Sequence, residues 1–258
     1  MRKEVKEMKT KRLSQETLKL IACVSMLIDH IGAVIVAALL RKVNSGGGNA
    51  EALLELYKLL RIIGRLAFPI YCFLLTEGIH YTKNPGRYAL RLLIAAVLAE
   101  IPFDYAIYGD ITWQHQNVMV TLLLGFCGVK AMERCPDAVT KILCAVVFSL
   151  AAKWANCDYG AKGIWTILLF ALTREHSHRN LLQILGLWLI FSPDHAMFLN
   201  WLNGRHMTVQ EWAVLSLIPI SCYNGTKQSG SKVLQRAFYL FYPVHLLALE
   251  LLKLRIFG

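Results

Sequence analysis

Apolar residues run along this chain in long blocks, separated by short polar breaks marked by Gly or Pro. The clearest block is Leu18–Leu40, which carries the adjacent ionisable pair Asp29-His30. A block of this length crosses about 30 Å of hydrocarbon as a helix. It exceeds a signal-peptide core and no small-residue cleavage site follows it, so it is expected to stay in the mature protein. The same reading predicts helices over 18–40, 60–80, 88–107, 117–132, 139–154, 160–173, 181–192, 209–222 and 236–253. The expected fold is an all-α integral membrane protein, a bundle of about nine transmembrane helices. Residues 160–173 and 181–192 are short for the task, and neighbours or a thinned bilayer must accommodate them. No strand alternation or tandem repeat stands out. The Gly-rich stretch Asn44–Asn49 reads as a loop between the first two helices. Residues 1–17 form a basic tail and 18–258 a single polytopic membrane domain, with no loop long enough for a soluble domain.

Composition strengthens this picture. The chain is 56% hydrophobic with a mean hydropathy of +0.45, above the roughly 45–50% apolar content of soluble domains. The formal net charge is +11, which in a soluble protein would point to nucleic acid. Here the positive charges sit in short loops and in the tail MRKEVKEMKTKR, where they set orientation beside anionic headgroups. The bilayer is the expected partner and nucleic acid is not. Counting Lys and Arg puts the N-terminus in the cytoplasm. Inside segments then carry Lys83, Arg87 and Arg91, then Lys130, Arg134 and Lys141, then Arg174 and Arg179, then Lys227, Lys232 and Arg236. The outside stretch Gly109–Gln116 has none, and Arg205 stands alone in a later one. Arg41, Lys42, Lys58 and Arg61 in the first outside loop run against the rule. An odd helix count places the C-terminus outside. The seven cysteines form no C-x-x-C pair and most lie in apolar blocks, so buried thiols are expected rather than disulfides or a metal cluster.

Charges inside a bilayer are costly and are usually functional or paired. Asp29-His30 lies about 16 Å beyond Lys19 at about 1.5 Å per residue, near the midplane. Arg65 follows Arg61 by one turn, Glu100 and Asp104 share a face at i, i+4 spacing, and His245 lies roughly 13 Å past Arg236. Two histidines, one arginine and three carboxylates can meet in one layer. They fit paired charges that only fix helix packing. They also fit chemistry, because a neutral imidazole is a suitable general base near neutral pH. Other polar marks have plainer readings. Asn117 and Thr121 suit interhelical hydrogen bonds or a ligand, Tyr159 and Trp165 interface anchoring, Glu77 a headgroup contact, and His176 and His178 a solvated loop. Tyr223-Asn224-Gly225 reads as a helix end and tight turn.

Several segments, in order and spanning nearly the whole chain, resemble the TraX family of membrane proteins. They are LKLIACVSMLIDHIG (18–32), LRIIGRLAFPIYCFLLTEG (60–78), RYALRLLIAAVLAEIPFD (87–104), QNVMVTLLLG (116–125), YNG (223–225) and FYLFYPVHLLAL (238–249). The family is named for a conjugation protein that acetylates pilin N-termini, and it resembles bacterial membrane acyltransferases that use acetyl-CoA. The resemblance implies an acetyl-CoA-dependent acyltransferase of the bacterial inner membrane, with no metal. It implies a catalytic role for His30 and an acceptor that is a pilin N-terminus or a glycan.

In that reading His30 takes the proton of the attacking amine or hydroxyl. Asp29 points about 100° away on a helix, so it is better placed to pair with Arg65 than to orient His30. Glu100, Asp104 or His245 could orient the imidazole, and Arg65 or Asn117 could donate to the oxyanion. Arg87, Arg91 and the Lys227–Arg236 segment are candidates for the nucleotide phosphates, with Tyr223 and Asn224 of the shared YNG block as further binding candidates. Direct transfer and an acyl-histidine intermediate both remain open. The rival reading is an ion- or proton-coupled transporter, which also uses buried Asp, Glu, Arg and His.

Overall fold

The computed structural model describes residues 13–46, 48–192, 208–226 and 232–257. Most of the basic tail, together with Arg205 and Lys227, lies outside the described residues. Within them the chain forms nine helical rods and no strands. They are α1 (Gln15–Ser45), α2 (Glu51–Tyr81), α3 (Pro85–Tyr108), α4 (Val118–Met132), α5 (Ala138–Trp154), α6 (Gly160–Thr173), α7 (Arg179–Phe191), α8 (Val209–Ser221) and α9 (Lys232–Phe257). Of these, α1, α2 and α9 are long and apolar enough to cross a membrane, and α4, α6, α7 and α8 are shorter apolar helices.

Side chains start and stop the rods. Ser14, Asn84, Asn117 and Asp137 each accept from a backbone N–H in the first turn of α1, α3, α4 and α5, satisfying donors that have no helical partner. Pro85 opens α3 with φ already set for a helix. Gly109 closes it in the left-handed region at φ 82°, donating to the Asp104 and Tyr105 carbonyls.

The sequence reading misses the start of α2, which begins at Glu51 rather than near residue 60. Its first turns carry Glu51, Glu55 and Lys58 on exposed positions, so hydropathy alone reads them as loop. A Glu55–Lys58 pair 2.7 Å apart supports the helix there. α2 breaks at Arg65–Leu66. The cause lies four residues on: Pro69 has no N–H for the Arg65 carbonyl and its ring crowds that turn. α1 is also irregular, because its middle turn, Ile31–Val36, is a π-helix that begins directly after His30.

The core follows from Phe170, Leu18, Ile70, Ile164, Ile167 and Leu246, all essentially inaccessible. The outer faces are apolar as well. Leu93, Val97 and Ile101 of α3, and Ile142, Val147 and Leu150 of α5, are about half exposed or more. A chain solvated by hydrocarbon has this distribution. Two backbone links tie the connections together. Leu13 donates to Cys222 and accepts from Asn224, and Gln116 pairs with Asn156 and Asp158. The first fixes the start of α1 against the Tyr223 turn. The second holds the α3–α4 and α5–α6 connections side by side.

Candidate functional site

Between α1 and α2 on one side and α3, α4 and α9 on the other lies a cavity of about 1130 Å³. One end is edged by Lys19, Arg91 and Arg236, the other by Arg41, Tyr57 and Asp158. Lys19 and Arg41 stand on the same helix, about 33 Å apart at about 1.5 Å per residue, so the cavity follows most of the length of α1.

His30 lines this cavity where α1 passes from α to π geometry. Its Nδ1 lies 2.6 Å from Nε2 of His245, and the rings are nearly parallel with centroids 4.9 Å apart. The Nδ1 of His245 is 2.7 Å from the Phe241 carbonyl oxygen. A carbonyl can only accept, so Nδ1 of His245 carries the hydrogen. With both rings neutral, Nε2 of His245 is then the acceptor and His30 donates to it from Nδ1. This leaves Nε2 of His30 with a free lone pair. A backbone carbonyl thus sets the tautomer of both rings, as carboxylates do for other functional histidines.

Asp29, one residue earlier, faces the other way. Its two oxygens each accept from an arginine at 2.6 Å, Oδ1 from Nη2 of Arg65 and Oδ2 from Nη1 of Arg61. Arg65 also donates from Nε to the Arg61 carbonyl, and from Nη1 to the Tyr159 hydroxyl at 3.3 Å and to Gln210 at 3.2 Å. Arg65 is almost fully buried, so the break at Arg65–Leu66 delivers a cation to the bundle interior. Arg61, read from sequence as a loop charge, belongs to the same cluster. Its spacing of four residues from Arg65 was the available signal. Asp158, in the α5–α6 connection, also lines the cavity. Burial pushes its carboxyl up to about 6; Arg65 opposes the shift and Asp29 adds to it.

Glu100, Asp104 and Asn117 do not join His30. Glu100 accepts from the backbone and side-chain N–H groups of Asn117, whose amide also donates to the Ala96 carbonyl at 2.8 Å. Asp104 accepts from the backbone of Thr112 and Trp113. These residues anchor the α3–α4 connection, and the Asn117 amide is committed rather than available to an oxyanion. Glu77 is buried and pairs with Arg174 at 2.9 Å instead of facing headgroups. Arg91 borders the cavity while Arg87 is exposed outside its lining. Tyr223 lines it and Asn224 caps the turn by accepting from Thr226. Tyr242, overlooked in the sequence, stands beside His30 with ring centroids 6.2 Å apart. Among the described residues no three His, Cys, Asp or Glu side chains are grouped as a metal site needs.

Comparison with known proteins assigns the chain to a family. Residues 14–253 match the profile of the family described as TraX protein. The chain is 29% identical over 249 residues to the probable fimbrial assembly protein FimC, serogroup H1, of Dichelobacter nodosus, covering 89% of this chain and 91% of that protein. It is 25% identical over 194 residues to an uncharacterized protein, RP591, of Rickettsia prowazekii (strain Madrid E), covering 71% of this chain and 65% of that one. No solved structure matches the chain.

Proposed function

The chain belongs to the TraX family, and on that premise we propose that it is a multi-pass acyltransferase of the bacterial inner membrane. It moves an acetyl group from cytoplasmic acetyl-CoA to an amine or hydroxyl. The observation that carries the reading is the His30–His245 pair, whose tautomers leave an unprotonated Nε2 on a ring that lines a long cavity. The acceptor attacks the thioester carbon and gives its proton to Nε2 of His30. The tetrahedral intermediate collapses, the carbon–sulfur bond breaks, and the CoA thiolate leaves and takes up a proton. Direct transfer and a first attack by His30 itself both use this geometry.

All nine rods cross the bilayer in this reading, with the N-terminus in the cytoplasm. Lys19, Arg91 and Arg236 then edge the cytoplasmic mouth and suit the nucleotide phosphates, and the pantetheine arm extends toward His30. The acceptor enters past Arg41 and Tyr57. A pilin N-terminus is one acceptor supported by the resemblance to a fimbrial assembly protein, and a glycan is the other.

The length of the cavity also favours a second reading, an ion- or proton-coupled transporter. Purified full-length protein with acetyl-CoA and a small primary amine as acetyl acceptor separates the two. The acyltransferase reading expects release of free CoA, with a loss of about 10²–10⁴ in rate for a stably folded His30→Ala variant. No CoA release, or full activity in that variant, refutes it. An unfolded variant assigns His30 to structure.

A further inference from the structure

We propose that the Tyr159 hydroxyl donates the hydrogen bond that receives negative charge on the thioester oxygen during transfer; this rests on the acyl-transfer reading above. An oxyanion needs a preorganised donor that is not already spent. The two donors nominated by sequence, Arg65 and Asn117, are heavily committed. All three guanidinium nitrogens of Arg65 have partners, and the Asn117 amide serves Glu100 and Ala96.

Tyr159 has the opposite character. It lines the His30 cavity, and its oxygen accepts from Nη1 of Arg65. That bond draws electron density from the phenol oxygen and makes its O–H a stronger donor. Among the described residues the phenol oxygen makes its hydrogen bond as an acceptor, with its own hydrogen not committed to a partner. Tyr242, whose ring is 6.2 Å from that of His30, receives no hydrogen bond from a cation among the described residues.

The ring is also held in place. Tyr159 adopts φ +64°, a conformation an aromatic residue rarely takes. The neighbouring backbone is pinned from several directions. Thr121 donates to the Asp158 carbonyl, Asp158 N–H to Gln116, and Gly163 N–H to the Tyr159 carbonyl. The ring stacks on Phe68 at 3.7 Å between centroids and 7° between planes. Gly163 leaves room for that stack, because a Cβ there would meet Thr121 at 2.5 Å and both Phe68 and Tyr159 at 3.2 Å. Strained residues over-determined in this way cluster at functional sites. No bond to Tyr159 forms or breaks, and it keeps its proton throughout.

The test uses Tyr159→Phe in the full-length protein, with CoA release from acetyl-CoA in the presence of a small primary amine acceptor as the readout. This variant keeps the ring, the stack and the backbone. The kcat is expected to fall by about 10²–10³, with KM for acetyl-CoA and the thermal midpoint close to the parent. Gln210→Leu supplies the contrast, since it removes an acceptor from the same Arg65 nitrogen but no donor facing the cavity. Its loss in kcat is expected to be at least about tenfold smaller than that of Tyr159→Phe. Equal losses in the two variants, or a midpoint that drops along with kcat, make the phenol a structural partner of Arg65 and overturn the proposal. An inactive His30→Ala beside a fully active Tyr159→Phe overturns the Tyr159 role alone. A parent that releases no CoA removes the acyl-transfer reading and this inference with it.

Discussion

Gly64 stands where any side chain would overlap Asp29: a Cβ on Gly64 meets the Asp29 carboxylate and its Cβ before any other group. The missing side chain is therefore what lets α1 approach α2 closely enough for Asp29 to reach Arg65. Gly64→Ala is expected to push Asp29 off its two arginines and to destabilise the protein by about 1–3 kcal/mol, the usual range for overpacking. Thermal unfolding in detergent checks this. A midpoint equal to the parent's would show that α1 and α2 separate at little cost.

The two arginines that share Asp29 differ in depth. The Arg65 side chain is 5% exposed and that of Arg61 23%. Removing Arg65 leaves a buried carboxylate with half its compensation, so Arg65→Ala is expected to cost about 3–5 kcal/mol. Arg61→Ala is expected to cost about 1 kcal/mol, because solvent or headgroups can replace it. Comparing the unfolding midpoints of both variants tests the order.

His245 does not line the cavity and touches His30, so in the proposed reaction it acts through His30. His245→Ala removes the acceptor that fixes the His30 tautomer and is expected to slow transfer by about tenfold to a hundredfold. His245→Gln restores an acceptor and is expected to recover part of the rate. Equal activity in the two variants would show that the pairing of the rings has no effect on the chemistry.

Asp158 gives a pH dependence with a defined sign. Its folded-state pKa of about 6 stands above the ordinary value of 3.8. The folded protein holds that proton more tightly than the unfolded chain does. Its contribution to stability is fully present below about pH 4 and is lost as pH rises through about 6. Asp158→Asn lacks that loss. Its unfolding midpoint relative to the parent is expected to rise between pH 4 and pH 7. A difference that stays constant over this range contradicts the assignment.

Orientation can be read by labelling single cysteines in a cysteine-free background. Gln114 and Lys83 are both exposed, at opposite ends of α3. A cysteine at 114 is expected to react with an impermeant reagent added outside intact cells, and one at 83 only after lysis. The reverse result would move the mouth edged by Lys19, Arg91 and Arg236 away from the cytoplasm.

Much of the fold is written in hydropathy. Rods α3 to α7 lie within a few residues of the apolar blocks, because polar breaks bound them, with side-chain caps at Asn84, Asn117 and Asp137 opening α3, α4 and α5. The first turns of α2 escape this reading because their charges lie on an exposed helical face. Of the site, Asp29, His30, Arg65 and His245 stand out as ionisable residues in apolar surroundings. Glu100, Asp104 and Asn117 stand out in the same way, yet they fasten a connection. Residue type reports depth, whereas the partner depends on how α3 and α4 meet. Tyr159 passes as an interface anchor because nothing in a single sequence marks a left-handed backbone. Gly64 is unremarkable until its neighbour across the helix crossing is known.

The π turn at Ile31–Val36 makes α1 unusually tolerant of losing one residue. A π turn holds one residue more than an α turn, so deleting any one residue of this apolar stretch would restore regular α geometry. Hydropathy and length would hardly change. The Gln15–His30 half would keep its rotation relative to the Ala37–Ser45 half, because the wider turn already absorbs the residue removed. His30 would stay on the His245 axis and Asp29 on its arginines. At this position α1 carries a surplus residue, and a single deletion does less harm there than in the regular helix on either side, where it would turn one half by about 100°.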